Sequence, residues 1–248
     1  MDGIEVSVVI PVHNQVHLLP RAIESALCQG IPLEVIVVDD ASTEDVQKAA
    51  APYPVILLRN RENRGAARSR NRGVRAARGR YIAFLDSDDW WEEGKLARQL
   101  ELIRQTGYVL CCTGRRLVTP EGKKTSHTIG VKPVIRYRDL LTHNMINCSS
   151  VLIRRDAALA YPMSHEKYHE DYLTWLRILK KYHFACGINE PLLNYRMSNS
   201  GKSGSKLASA YKTFMVYRVL GFPLWKSIAC FAAYTFNGLK KYRGWIWH

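Results

Sequence analysis

The stretch Tyr81-Ile82-Ala83-Phe84-Leu85-Asp86-Ser87-Asp88-Asp89-Trp90-Trp91 decides how this chain is read. Its apolar run, bounded by Gly79 and an acidic cluster, has the length and content of a buried strand. Three carboxylates then fall within four residues, and like charges so crowded repel one another. A hard divalent cation between them relieves the repulsion, and such a cation takes oxygen ligands and commonly arrives with a phosphate-bearing substrate. The same residues could instead form a solvated acidic turn that caps the next helix.

Outward from this stretch, apolar runs and helical periodicity alternate. Residues 6–12 form a β-branched run, and residues 18–29 follow with Leu18, Leu19, Ala22, Ile23, Ala26 and Leu27 at helical spacing and Pro20 near the first turn. Residues 34–38 predict a second strand ending at Asp39-Asp40, after which Ser42-x-x-Asp45 resembles a capping box. Residues 55–58 predict a third strand, 65–77 a helix, 81–85 the fourth strand, and 93–105 a helix with Leu96, Leu100 and Ile103 on one face. Four strand-helix alternations imply parallel strands with right-handed crossovers and a sheet covered on both faces. Ligands of such sheets sit beyond the carboxyl ends of the strands. There the chain carries Pro11-Val12-His13-Asn14, Asp39-Asp40-Ala41-Ser42, Arg59-Asn60 and Asp86-Ser87-Asp88-Asp89, a rim suited to a nucleotide and a metal.

The chain has 248 residues, enough for one large α/β domain with a tail or for two small domains, and its 47% apolar content suffices for a core. A formal charge of +14 predicts a polyanionic partner: phosphates, nucleic acid or anionic lipid. Six cysteines (Cys28, Cys111, Cys112, Cys148, Cys186, Cys230) include no C-x-x-C pair, so free thiols in a reducing compartment are expected. The acidic Met1-Asp2-Gly3-Ile4-Glu5 runs directly into the first strand and does not read as a signal peptide, so a cytoplasmic location is expected.

Past Tyr108 the alternation gives way to shorter, mixed strands over residues 108–113, 116–119, 131–137 and 149–153, with a turn at Pro120-Glu121-Gly122. Glu170-Asp171 then opens a helix containing Tyr172, Leu173, Trp175, Leu176, Ile178 and Leu179. Acids in a first turn are favoured by the helix dipole alone and need no catalytic explanation.

Together, Val8-Val9-Ile10-Pro11-Val12-His13-Asn14, Val37-Val38-Asp39-Asp40-Ala41-Ser42, Asn63-Arg64-Gly65 with Arg70-Asn71, Asp86-Ser87-Asp88-Asp89 and Glu170-Asp171-Tyr172 resemble the ordered motif set of family 2 glycosyltransferases. These are inverting, nucleotide-sugar-dependent enzymes, here of the type that builds bacterial surface polysaccharides. The resemblance covers about the first two hundred residues. It implies an α/β fold of the GT-A kind, Rossmann-like, with a mostly parallel central sheet and flanking helices. The implied catalytic domain spans 1–200, with a nucleotide-binding half at 1–107 and an acceptor half at 108–200, and a basic amphipathic helical tail occupies 201–248.

By the same resemblance Pro11, His13, Asn14 and Asp40 line the base pocket, Asp40 accepting from the N3–H of a uracil. Arg70 and Asn71 approach the ribose or diphosphate, Asp86 contacts the ribose or donor sugar, and Asp88 binds Mn²⁺ or Mg²⁺. Asp171 is the expected base and Glu170 its acceptor-orienting neighbour. The sequence departs from the family where His13 replaces a Tyr or Phe and Ser69 an Ala. It also lacks the Gln-x-x-Arg-Trp motif of processive members, so one sugar per encounter is expected.

The arginines at residues 59–80 alternate with alanines at helical spacing and read as a solvated helix face, so no nucleic-acid partner is expected. After Glu190 there is no acidic residue, while nine lysines and arginines remain among many aromatic and aliphatic side chains. That tail predicts an amphipathic helix pair on an anionic inner leaflet, with Trp245 and Trp247 at the interface and a lipid-linked saccharide as acceptor. The alternative is a helical subdomain packed on the catalytic domain or on a homodimer partner. Two other functional classes fit the acids less well. A nucleotidyltransferase calls for a glycine-rich loop after the first strand, which Val12-His13-Asn14-Gln15 does not supply; a non-catalytic nucleotide-binding module would not need Asp88 and Asp171.

Overall fold

In the computed structural model, residues 3–164, 167–197 and 206–242 are described. The first half builds strands β1 (Val6–Val12), β2 (Leu33–Asp39), β3 (Val55–Arg59), β4 (Tyr81–Phe84) and β5 (Trp90–Trp91). Between and after them lie helices α1 (Leu19–Leu27), α2 (Val46–Ala50), α3 (Ala66–Ala76) and α4 (Lys95–Thr106). The second half adds β6 (Leu110–Val118), β7 (Lys124–Ile129), β8 (Val134–Arg136), β9 (Leu152–Arg154) and β10 (Phe184–Arg196). Its helices are α5 (Tyr137–Thr142), α6 (Arg155–Ala160), α7 (Glu170–Tyr182), α8 (Lys206–Val219) and α9 (Leu224–Tyr242).

The strands make one sheet in the order β3-β2-β1-β4-β9-β6-β10-β5, with β7 on β6 and β8 on β10. β3, β2, β1 and β4 run parallel, as the alternation requires. The sheet is mixed beyond them because β9 enters antiparallel between β4 and β6. Period-two alternation distributes the core: Val8, Ile10, Val35, Val37 and Ala83 face α1 and α4, while Val9, Ile36, Val38, Ile82 and Phe84 face the side of α3 and α7. On that second face the buried Ser7 hydroxyl donates to Glu34 at 2.6 Å, and the Arg78 backbone N–H donates to the same carboxylate, so neither polar group is left unsatisfied in the sheet.

The largest departure from the sequence reading is β10, a thirteen-residue strand where no strand is expected. Asn189-Glu190-Pro191 interrupts its apolar pattern, and the pairing with β6 shifts register there. The helix at residue 42 also begins later than a capping box would place it. Asp45 is the N-cap and accepts from the Lys48 N–H, while the Ser42 hydroxyl accepts from the Asn14 N–H.

The tail is built into the body. Val216 and Tyr217 of α8 are fully buried. The Tyr217 hydroxyl donates to the Leu141 carbonyl at 2.7 Å and lies 3.2 Å from the Tyr172 hydroxyl, which itself bonds the Leu140 carbonyl. From α9, Asn237 donates to the Thr142 carbonyl and Tyr234 packs against Tyr172. The tail thus has one face committed to α5 and α7, as the packed alternative requires. Trp245 and Trp247, expected at a membrane interface, lie outside the described residues. Among the described residues, no helix is long and apolar enough to cross a membrane.

Helix α3 approaches β1 closely at Gly73, where an added Cβ would stand 2.3 Å from the Val9 Cγ1 atom. Gly73→Ala is therefore expected to push α3 off the sheet and to destabilise the protein by roughly 1–3 kcal/mol, the usual cost of overpacking. Urea unfolding measures it, and an unchanged midpoint would contradict the close approach.

Candidate active site

The rim beyond β1 and β2 is held in an uncommon backbone state. Asn14, Gln15 and Ala41 have φ of 56°, 55° and 57°, in the left-handed region that L residues seldom adopt. Hydrogen bonds between the two strand ends hold it there. The Asn14 N–H donates to the Ser42 hydroxyl at 2.9 Å, the Thr43 N–H to the Asn14 side-chain oxygen at 2.9 Å, and the Val16 N–H to Glu44 at 2.8 Å. His13 Nδ1 lies 2.9 Å from the Asp40 carbonyl. Strained rim backbone fixed by surrounding bonds is characteristic of ligand sites. Asn14 therefore serves the rim, with its side chain on Thr43.

Inside this rim lies a cleft whose lining includes Pro11, His13, Asp40, Arg70, Asp86 and Asp88, six of the residues expected there, together with Ala66 at the start of α3. Asp40 is fixed by three donors: Asn60 Nδ2 at 2.7 Å and the Arg64 N–H at 2.9 Å on Oδ1, and the Gly65 N–H at 2.7 Å on Oδ2. A carboxylate accepts about four hydrogen bonds, so Oδ2 keeps capacity for a further donor. Asn71 does not join the cleft. Its amide pairs with the Met163 backbone in both directions, at 2.7 and 2.9 Å, and holds the loop that precedes α7.

The three acids of the opening stretch have three environments. Asp86 accepts from Arg70 Nη2 at 2.5 Å, and its backbone N–H donates to the Ser149 hydroxyl. Asp88 lines the cleft, and its carbonyl accepts from Arg196 Nε. Asp89 is buried, with Oδ1 accepting from the Arg196 N–H at 2.9 Å. Burial, then the charges of Asp88 and Asp86, push its carboxyl well above the usual range. Arg196 and Ser149 both hold this loop, and Ser149 also accepts through its carbonyl from the Trp91 indole at 2.7 Å. Arg196 belongs to no motif with chemistry of its own, so the sequence offers no signal for it.

Arg70 connects this cleft to the far half of the chain. While Nη2 holds Asp86, Nη1 reaches Glu170 at 3.3 Å, at the start of α7 and a hundred residues away in sequence. Burial opposes the charge of Arg70, but Asp86 and Glu170 outweigh it and hold the guanidinium protonated well above its ordinary range. Asp171 follows, half-buried, accepting from the Tyr172 N–H at 2.7 Å. Burial raises its carboxyl, and the positive charge of Arg70 works in the opposite direction; Glu170 is raised by burial and by Asp171. A carboxylate moved toward neutral pH is better matched to taking a proton. Among the described residues, no three His, Cys, Asp or Glu side chains converge into a metal cage. Mg²⁺ and Mn²⁺ do not require one, since they are commonly held by one or two carboxylates with substrate phosphates and water. The donor set at Asp88 fits that mode.

Residues 7–161 match the model of the family described as glycosyl transferase family 2. A Bacillus subtilis (strain 168) glycosyltransferase assigned by name to teichuronic acid biosynthesis, TuaG, is 35% identical over 243 residues, covering 95% of this chain and 96% of that protein. The Escherichia coli protein named UDP-Glc:alpha-D-GlcNAc-diphosphoundecaprenol beta-1,3-glucosyltransferase WfaP is 30% identical, covering 96% of this chain and 95% of that one. Among solved structures, S. aureus TarS 1-349 in complex with UDP-GlcNAc superposes with a TM-score of 0.75 at 16% identity, covering 95% of this chain and 73% of that chain. A mannosyltransferase from Pyrobaculum calidifontis, solved with GDP-Man and Mn²⁺, gives 0.69 at 18% identity, covering 88% and 65%. At such identities the likeness shows the fold, which is GT-A.

Asp89 supplies a test of the site's electrostatics. Its native carboxyl is raised above the unfolded value, so its contribution to stability is present at low pH and is lost as pH rises through the raised value. Asp89→Asn keeps an acceptor for the Arg196 N–H and removes the titration. In metal-free buffer, the wild type should lose stability relative to Asp89→Asn as pH is raised from acid to neutral, measured by urea midpoints. A difference that stays constant with pH would contradict the assignment.

Proposed function

The chain belongs to glycosyl transferase family 2, and from that premise we propose that it moves one sugar from a nucleotide-diphosphate donor, a UDP-sugar, to a hydroxyl of a lipid-linked saccharide in cell-surface polysaccharide synthesis. The observation that carries this reading is the Asp86-Arg70-Glu170 bridge, which joins the donor cleft to the paired acids of α7. The donor class is supported by the UDP-Glc in the name of WfaP, and the acceptor class by the diphosphoundecaprenol in the same name.

In this reading the base lies against Pro11 and His13, with its imide N–H donated to the remaining capacity of Asp40. Arg70 holds Asp86 toward the ribose or donor sugar. Asp88 would hold Mn²⁺ or Mg²⁺ against the diphosphate, and such an ion neutralises charge on the departing nucleoside diphosphate. Asp171 takes the proton from the acceptor hydroxyl as that oxygen attacks the anomeric carbon, and Glu170 orients the acceptor. One displacement breaks the bond to the diphosphate, forms the new glycosidic bond and inverts the anomeric centre. A lipid-linked acceptor brings the reaction to the inner face of the cell membrane, where the basic tail would meet the bilayer.

Two substitutions separate the roles. Asp171→Asn should lower turnover by at least about a hundredfold, the lower end of what general-base catalysis supplies, while nucleotide affinity stays near the wild-type value. Asp88→Ala should instead remove the Mn²⁺-dependent part of nucleotide binding, read by calorimetry with and without the ion. Full turnover in Asp171→Asn would remove that residue from the mechanism. The pH profile gives a further check, because only the deprotonated carboxylate accepts a proton and burial raises Asp171. The acid limb of kcat should lie above the ordinary aspartate value of about 3.9. A limb at or below that value would place the base elsewhere.

A further inference from the structure

Helix α9 has two apolar sides, and only one of them is covered. Its inner side carries the buried Ser227 together with Phe231, Tyr234 and Asn237, which contact α8, α7 and α5 in turn. At 100° per residue, Leu224, Trp225, Ile228, Ala232 and Phe236 fall together on the opposite side. There Leu224 is 58%, Trp225 72%, Ile228 53% and Phe236 69% exposed. The described part of this stripe carries no charged side chain. A globular protein normally covers both apolar sides of such a helix, whereas the outer side of α9 is left uncovered and the helix is not long and apolar enough to cross a membrane.

We propose that this outer face of α9 is the surface by which the protein rests on an anionic lipid bilayer, its aromatic and aliphatic side chains entering the headgroup boundary. Two observations select lipid over a second copy of the chain. The first is charge: no acidic residue follows Glu190, whereas Lys212, Arg218 and Lys226 lie on α8 and α9, and Lys240, Lys241 and Arg243 follow in sequence. Two such faces meeting would bring like charges together, while anionic headgroups neutralise them. The second is composition. The four large side chains expose roughly 500 Å², large for a monomer's apolar patch. An interfacial helix with Trp and Phe on its apolar face and cations beside it has the composition that binds membrane surfaces without spanning them.

The placement deepens the reading of the chain as a transferase acting on a lipid-linked acceptor, and rests on it for its purpose. His169, which precedes the paired acids, lies 3.4 Å from the Ser209 carbonyl of α8, and Tyr168 packs on Tyr211. Helix α8, against which α9 packs through Phe214 and Phe231, therefore borders the start of α7 with its paired acids, so a bilayer under α9 would bring a saccharide with its lipid still in the membrane to that side of the site.

The test uses the full chain and vesicles of phosphatidylglycerol mixed with phosphatidylcholine, with phosphatidylcholine alone as control. The wild type should co-sediment with the anionic vesicles, less so as salt rises. The double variant Trp225→Glu, Phe236→Glu should bind about tenfold more weakly, with an unchanged melting temperature and unchanged slow hydrolysis of nucleotide sugar in solution. Equal sedimentation of wild type and variant would overturn the proposal. So would a wild-type dimer by light scattering that the variant dissociates, because the face would then belong to a second copy. A chain that binds vesicles through this face but consumes no nucleotide sugar would support the surface and defeat the transferase reading. One that consumes the donor but ignores vesicles would do the reverse.

Discussion

The guanidinium of Arg70 is the interaction on which the site depends. It is 6% exposed and lies between Asp86 at 2.5 Å and Glu170 at 3.3 Å. A buried cation of this kind is tolerated only when it is paired. Removing one partner of such a pair typically costs on the order of 3–5 kcal/mol, because the other charge is left uncompensated. The loop after β4 and the first turn of α7 are therefore each bound to the same side chain, and neither can move far without exposing or orphaning a charge.

Much of the surrounding structure fixes where Arg70 sits and what it meets. Gly73 lets α3 lie close on β1, which sets the depth of Arg70 one turn earlier. Asn71 clamps Met163 and so shapes the approach to α7, while Ser149, Trp91 and Arg196 fix the acidic loop from the other side. Behind α7, Tyr172 bonds the Leu140 carbonyl and meets Tyr217 of the C-terminal helices. The tail is thus a buttress for the paired acids through its inner face, and the outer face of α9 is left for another partner.

The part of the fold legible in the sequence is the part governed by short-range pattern. Residues 6–12 form β1 with the expected bounds, and the next three strands agree to within a residue at each end, because β-branched runs bounded by turn residues specify buried strands locally. β10 was not legible, since Asn189-Glu190-Pro191 breaks its pattern and only pairing with β6 across a register shift completes it. The same division holds in the site. Motif order gathers Pro11, His13, Asp40, Arg70, Asp86 and Asp88 around one cleft. It could not tell that Asn14 and Asn71 turn to Thr43 and Met163, because an amide that reads a ligand and one that ties a loop look alike in sequence. Nor could it reveal that Arg70 reaches Glu170, a contact spanning a hundred residues.

The central claim is that this bridge assembles donor cleft and base into a site for a single displacement. The most direct measurement is proton NMR of the first glycosidic product formed from the nucleotide sugar that the protein consumes, read at the anomeric coupling before any mutarotation. The account predicts an anomeric configuration opposite to that of the donor. A product that retains the donor's configuration would contradict it, because retention requires a second displacement or a same-face attack that Asp171, as the single base, does not provide.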